Sequence, residues 1–202
     1  MDAALLAGAD AVGLVFYGPS PRYVSLETAA TLAASVPPFV TRVGLFVNAD
    51  PAEVRATMAA VRLELLQFHG DEDEAYCRQF GLSYIKAARM KPGMGKTDLL
   101  EFARLFPSAQ ALLLDAFVEG YGGGGKTFDW GLIPDNLSLP LILSGGLHAD
   151  NVKDAVLGVA PWAVDVSSGV EAAKGIKDAA KIQAFTAAVR AADAEVMQEL
   201  TD

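Results

Sequence analysis

Apolar residues in this chain fall into two rhythms. Short, mostly apolar runs recur at Ala11–Phe16, Val43–Val47, Leu63–Phe68, Ser83–Ala87, Ala111–Leu114, Leu139–Leu143 and Ala163–Val166. Such runs are the signature of strands buried on both faces. Between them the apolar positions spread to a period of about 3.6 residues, which predicts helices. The predicted helices cover Leu26–Ser35, Pro51–Val61, Asp73–Gln79, Leu99–Phe106, Asn151–Leu157 and Ala179–Ala194. Ser25, Asp50 and Asp98 stand where N-caps are expected, and Gly81 and Pro107 where helices stop. Strand alternating with helix predicts an α/β fold with a parallel sheet and right-handed crossovers. No linker-like segment interrupts the pattern, so residues 1–202 are expected to form a single domain.

Two late segments narrow the architecture. SGGLHADNV at Ser144–Val152 and VDVSSGVE at Val164–Glu171 each read as a buried strand running into a Gly- or Ser-rich turn. Backbone N–H groups in such turns cradle phosphate. A pair of them near the end of a β/α chain matches the phosphate site of a TIM (β/α)8-type barrel. In that fold reactive groups gather at the C-terminal ends of the strands. Those positions hold Phe16 with Arg22 close by, Asn48, His69, Lys86 with Arg89, and Asp115.

Each of these residues has a plain alternative. Asp115 follows Ala-Leu-Leu-Leu with no helix to cap, and a carboxyl at the end of a buried strand suits a general acid. His69, in QFHGDE, either orients a substrate or is a satisfied structural group. Arg22, in SPRYV, either clamps a carboxylate bidentately or forms a surface salt bridge. The segment GYGGGGKT at Gly120–Thr127 satisfies a P-loop pattern. Phe-Asp-Trp-Gly follows it, however, and starts a helix poorly. It reads better as a Gly-rich lid anchored by Phe128 and Trp130.

Composition excludes several classes of function. The net charge of −9 argues against nucleic acid as a partner. An anionic ligand must then be held by local dipoles and a few placed cations. No run approaches the roughly 20 apolar residues of a membrane span. The single cysteine, Cys77, rules out an internal disulfide and fits a cytoplasmic location; its place in a helix makes it a packing residue.

Taken in order, GADAVGLVFYGPSPRYV, RVGLFVN, LLQFHGDE, YIKAAR, LLLDAF, GGGGKTFDW, LILSGGLHADNV and VDVSSGVE resemble the phosphoribosylanthranilate isomerase family of tryptophan biosynthesis, from about Ala7 to Arg190. The resemblance implies an Amadori rearrangement of N-(5-phosphoribosyl)anthranilate, a small-molecule phosphosugar, with no cofactor and no metal. It implies that Asp115 is the general acid, that Arg22 holds the anthranilate carboxylate, and that Gly145, Gly146, Ser167, Ser168 and Gly169 bind the phosphate. His69 would orient the substrate. The family pattern also begins with a strand ending Lys-Ile-Cys-Gly, whose cysteine is the general base. Residues 1–202 contain no such segment, so the expectation is a barrel with strand 1 and its cysteine absent and a helical C-terminal extension from about residue 191. Monomer and homodimer both remain open. Two rival readings are another phosphosugar isomerase or epimerase barrel and a non-catalytic binder of phosphate ligands.

Overall fold

The structure is a computed structural model that describes residues 1–116 and 127–199. The Gly-rich run Gly120–Gly125, and with it the expected lid and most of the P-loop-like motif, lies outside the described residues. The order of elements is α1 (Asp2–Ala7), β1 (Ala11–Val15), α2 (Leu26–Ser35), β2 (Thr41–Phe46), α3 (Pro51–Ala60), β3 (Leu65–Phe68), α4 (Glu74–Arg78), β4 (Tyr84–Met90), α5 (Lys96–Leu105) and β5 (Ala111–Ala116). A 3-10 turn at Trp130–Leu132 precedes β6 (Leu141–Leu143), α6 (Val152–Val159) and β7 (Ala163–Val164). The chain closes with a short 3-10 turn (Ser168–Val170), a hairpin of β8 (Glu171–Ala173) and β9 (Ile176–Lys177), and α7 (Ala179–Glu199).

Strands β1 to β7 form one seven-stranded sheet in sequence order, and every pairing is parallel. Setting Ala11–Phe16 in the second place of an eight-strand pattern led to the expectation that strand 1 was absent. The hydrogen-bond ladder corrects this. The first strand is present as β1, paired with β2 from Ala11↔Thr41 to Val15↔Leu45, and the sheet has seven strands among the described residues. The β8–β9 hairpin is antiparallel and was not foreseen. Its strands are too short to carry a readable alternation.

Side chains alternate across each strand, which divides the core into two layers. Ile85 and Ala87 of β4 and Ala111 and Leu113 of β5 share the inner face with Leu65 and Ile142. The opposite parity, including Tyr84, Leu112, Leu114, Leu66 and Phe68, packs outward against the helices. An aromatic cluster fills one side of that outer layer: Phe68 lies 5.7 Å from Phe80 and 5.6 Å from Tyr76, and Phe16 stacks on Phe46 at 5.3 Å. Phe16 is therefore a packing residue and not part of the mouth. Phe128 and Trp130 pack on the other cluster.

Local signals set most helix starts. Ser25 Oγ accepts from the Thr28 amide, and Asp50 closes a capping box with Glu53. Asp98 does not cap as expected. Helix α5 begins earlier, at Lys96, and the Asp98 carboxylate reaches back to the Gly95 amide at 2.8 Å. The terminal elements meet where Arg190 Nη2 of α7 donates to the Ala7 carbonyl at 2.7 Å. Among the described residues no helix is long and apolar enough to cross a membrane.

Cys77, on α4, is fully buried in the outer layer, and burial pushes its thiol up to about 12. Native protein at pH 8 is expected to leave this thiol unlabelled by a disulfide reagent over minutes. Labelling should become immediate in denaturant. Rapid labelling of folded protein would contradict the packing described.

Candidate functional site

Strand parity aims the chemistry. Asp115 shares the inner face of β5 with Ala111 and Leu113, and His69 follows β3 in the parity of Leu65 and Gln67. The two converge: His69 Nε2 lies 3.1 Å from Asp115 Oδ2. On its other side Gln67 Nε2 lies 3.2 Å from His69 Nδ1. An amide nitrogen can only donate, so Nδ1 accepts and the ring proton sits on Nε2, pointing at the carboxylate. Gln67, His69 and Asp115 are all buried.

These residues line a cavity of about 90 Å³ at the C-terminal ends of the strands. Its walls come from β1 (Val15), β2 (Leu45), β3, β5 and the segments that follow β6 and β7, which requires the sheet to curl around it. Arg22, Gly145, Gly146, Ser167 and Ser168 also line it, so one space holds five of the expected residues together with His69 and Asp115. Gly145 and Gly146 have φ of 82° and 67°, the left-handed region. At Gly145 a Cβ would stand 2.3 Å from the Ala116 amide nitrogen. The backbone angle favours glycine at both positions, and the close approach adds to this at Gly145.

Gly169 departs from expectation. It is not among the lining residues. A Cβ there would fall 1.8 Å from the Leu147 carbonyl oxygen, so this glycine lets the turn after β7 press against the turn after β6. Lys86 departs as well. Its parity points outward from the cavity, where it is 1 % exposed beneath the turn that follows β3. Its ammonium donates to the Gly70 carbonyl at 2.7 Å and pairs with Glu72 at 3.0 Å. Glu72 in turn accepts from the amides of Asn48 (2.6 Å) and Gly70 (2.9 Å). This buried cluster fixes the turn that carries His69. Arg89, the last residue but one of β4, pairs with Asp71 at 3.6 Å.

Arg22 is held at the cavity rim by its own loop, which folds back along β1. Val24 N–H donates to the Val15 carbonyl at 3.0 Å, and Val15 and Tyr23 form an isolated bridge. The guanidinium meets a protein carboxylate: Nε and Nη2 donate to Glu171 Oε1 and Oε2 at 2.6 and 2.8 Å. Burial alone would raise the Glu171 carboxyl, but Arg22 and Lys177 outweigh it and hold it below the ordinary range.

Sequence reasoning overlooked Asp165, in the cavity wall at the end of β7. Desolvation pushes its carboxyl up, against the hydrogen bond it accepts from Ser144 Oγ at 2.8 Å; the nearby Asp115 adds to the rise. The available signal was an acidic residue directly after an apolar run, the same signal that marked Asp115.

Two measurements test this description. Lys86→Met leaves the Glu72 carboxylate buried and unpaired, which should cost roughly 3–5 kcal/mol, and adding Glu72→Gln should recover much of it. Urea unfolding of both variants checks this. Glu171, with its folded pKa lowered, contributes stability above the ordinary glutamate value of about 4.3 and loses it as pH falls through the folded value. Melting curves between pH 7 and pH 3 should therefore fall less steeply for Glu171→Gln than for the parent chain.

Comparison with known proteins adds an independent line. A family model described as "N-(5'phosphoribosyl)anthranilate (PRA) isomerase" matches residues 1–188. A relative from Dechloromonas aromatica (strain RCB), named N-(5'-phosphoribosyl)anthranilate isomerase, is 63 % identical over 196 residues, covering 97 % of this chain and 93 % of its own. The crystal structure of phosphoribosyl anthranilate isomerase from Thermotoga maritima superposes with a TM-score of 0.81 at 39 % identity, covering 94 % of this chain and 92 % of that one. A second crystal structure, of the isomerase in complex with reduced 1-(o-carboxyphenylamino)-1-deoxyribulose 5-phosphate, gives 0.77 at 36 % identity over 94 % and 91 % of the two chains.

Proposed function

Because the chain belongs to the N-(5'-phosphoribosyl)anthranilate isomerase family, whose reaction is a step of tryptophan biosynthesis, we propose that the cavity at the strand ends performs this isomerisation with Asp115 as its acid. The observation that carries the assignment of roles is the convergence of Asp115, His69, Arg22 and the two turns on a single cavity.

The chemistry asks for three things. The phosphate needs an anion site; in an acidic chain this falls to main-chain amides, and Gly145, Gly146, Ser167 and Ser168 supply them. Gly169 serves this site indirectly, by letting the two turns approach. The substrate carboxylate needs a cation at the far side, and Arg22 is the cation in the wall. The ring oxygen of the ribose needs a proton as the bond between it and the anomeric carbon breaks. Asp115 gives that proton while the nitrogen lone pair forms the imine. His69 holds Oδ2 through its Nε2–H, so the transferred proton rides on Oδ1.

The opened, protonated imine then gives its C2 proton to a general base and becomes the enolamine; C1 takes up a proton as the C2 hydroxyl releases one, which leaves the 1-amino-2-ketose. No electrons enter or leave, so the reaction needs no redox partner. Cys77 does not take the C2 proton, because it is buried on α4 outside the cavity wall. The acidic composition and single thiol support a cytoplasmic setting.

Asp115→Asn removes the acid while keeping the shape of the carboxyl. It is expected to lower kcat by about 10²–10⁴ with a much smaller change in KM. Steady-state turnover of the phosphoribosylated amine, followed by product chromatography, checks this. Near-parental turnover would remove Asp115 from its role.

A further inference from the structure

Glu171 and Lys177 stand outside the cavity wall, yet between them they touch both of its ends. Glu171 opens the β8–β9 hairpin, and its side chain is only 5 % exposed. One of its carboxylate oxygens accepts both Arg22 Nε and, at 3.2 Å, Lys177 Nζ. The same ammonium donates to the Ser167 carbonyl at 2.7 Å and lies 3.4 Å from Ser167 Oγ. Lys181 Nζ secures the backbone, donating to the Glu171 carbonyl at 2.7 Å. The hairpin turn presses on the arginine's loop, where a Cβ on Gly175 would lie 2.5 Å from the Pro21 carbonyl oxygen.

Each contact has a consequence for a bound anion. A guanidinium has two edges that can meet carboxylates. Glu171 occupies the Nε–Nη2 edge and leaves the other for a ligand. An arginine fixed in this way has lost its rotamer freedom before the ligand arrives, so less is lost on binding. Arg22, Glu171 and Lys177 together carry one net positive charge, so a second carboxylate is still attracted. At the other end, C=O and N–H of a trans peptide point in opposite directions. Lys177 holds the Ser167 carbonyl, which turns the Ser168 N–H away from the lysine.

We propose that Glu171 and Lys177 are positioning residues: Glu171 presets Arg22 for the substrate carboxylate, and Lys177 ties that clamp to the phosphate-binding turn. This rests on the roles given above to Arg22 and to Ser167 and Ser168. It makes the two ends of the site one coupled unit bridged by the hairpin.

The test is equilibrium binding of two probes: reduced 1-(o-carboxyphenylamino)-1-deoxyribulose 5-phosphate and the same compound without the carboxylate. The parent chain should prefer the carboxylated probe, and Arg22→Met should abolish that preference. Glu171→Gln should cut the preference by about tenfold, the worth of a charge-assisted hydrogen bond, with little change for the probe lacking the carboxylate. Lys177→Met should weaken both probes. If Glu171→Gln kept the parental preference while Arg22→Met lost it, the positioning role would fall and the clamp would stand. If Arg22→Met kept the preference, the clamp itself would fall. Equal weakening of both probes by Glu171→Gln would mean a merely structural role and overturn the proposal. Unchanged binding of both by Lys177→Met would sever the link to the phosphate turn. Should Glu171→Gln not fold, Glu171→Asp keeps the charge and shortens the reach, and the same preference is read.

Discussion

The hydrogen bond between His69 and Asp115 joins the residue that follows β3 to one within β5, strands that are not neighbours in the sheet. It exists because both residues have the parity that faces inward and because the sheet curls. The contact of Gln67 with His69 depends on the same constraint. A one-residue slip in the β4–β5 register would turn Asp115 toward the helices and bring Leu114 into the cavity. The ladder from Ile85↔Ala111 to Met90↔Ala116 prevents that slip, and the tightly packed inner face of small and branched side chains reinforces it.

The same parity explains why Lys86, expected at the mouth, is absent from the cavity. Lys86 sits one residue out of phase with Ala87, so its ammonium emerges under the turn after β3 and not in the cavity. There it does structural work with Glu72, whose carboxylate gathers the Asn48 and Gly70 amides. A buried pair of this kind is a weak source of stability, because desolvation offsets much of the attraction. What it supplies is a fixed geometry for the segment carrying His69.

Charge follows a related logic. The chain as a whole is acidic, yet the ligand proposed for its cavity is an anion. Main-chain dipoles at the glycine and serine turns and a guanidinium at the rim act over a few ångströms, where the net charge of the surface is screened. The glycines divide the labour. Gly145 and Gly146 adopt left-handed backbone at the cavity itself, and Gly169 gives the two turns room to touch.

Much of this was legible in the sequence. The seven apolar runs are the seven strands, since burial on both faces leaves a mark that needs no knowledge of neighbours. The caps at Ser25 and Asp50 are local chemistry and were equally readable. The positions of Asp115, His69 and the two turns followed from the rule that parallel strands deliver function at their C-terminal ends. Asp98, the hairpin, Asp165 and the place of the first strand were not read correctly: the α5 cap is a choice between neighbouring residues, a two-residue strand carries no readable alternation, and where a ladder begins depends on contacts distant in sequence. The sequence by itself determined where the buried strands lie, where most elements start, and that Asp115, His69 and two glycine- and serine-rich turns stand at strand ends. Only the tertiary structure decided which way Lys86 points, that Gly169 serves packing, and that Arg22 meets Glu171 across 149 positions of chain. Periodicity is a property of neighbours along the backbone, whereas partnership between side chains is set by how the sheet closes in space.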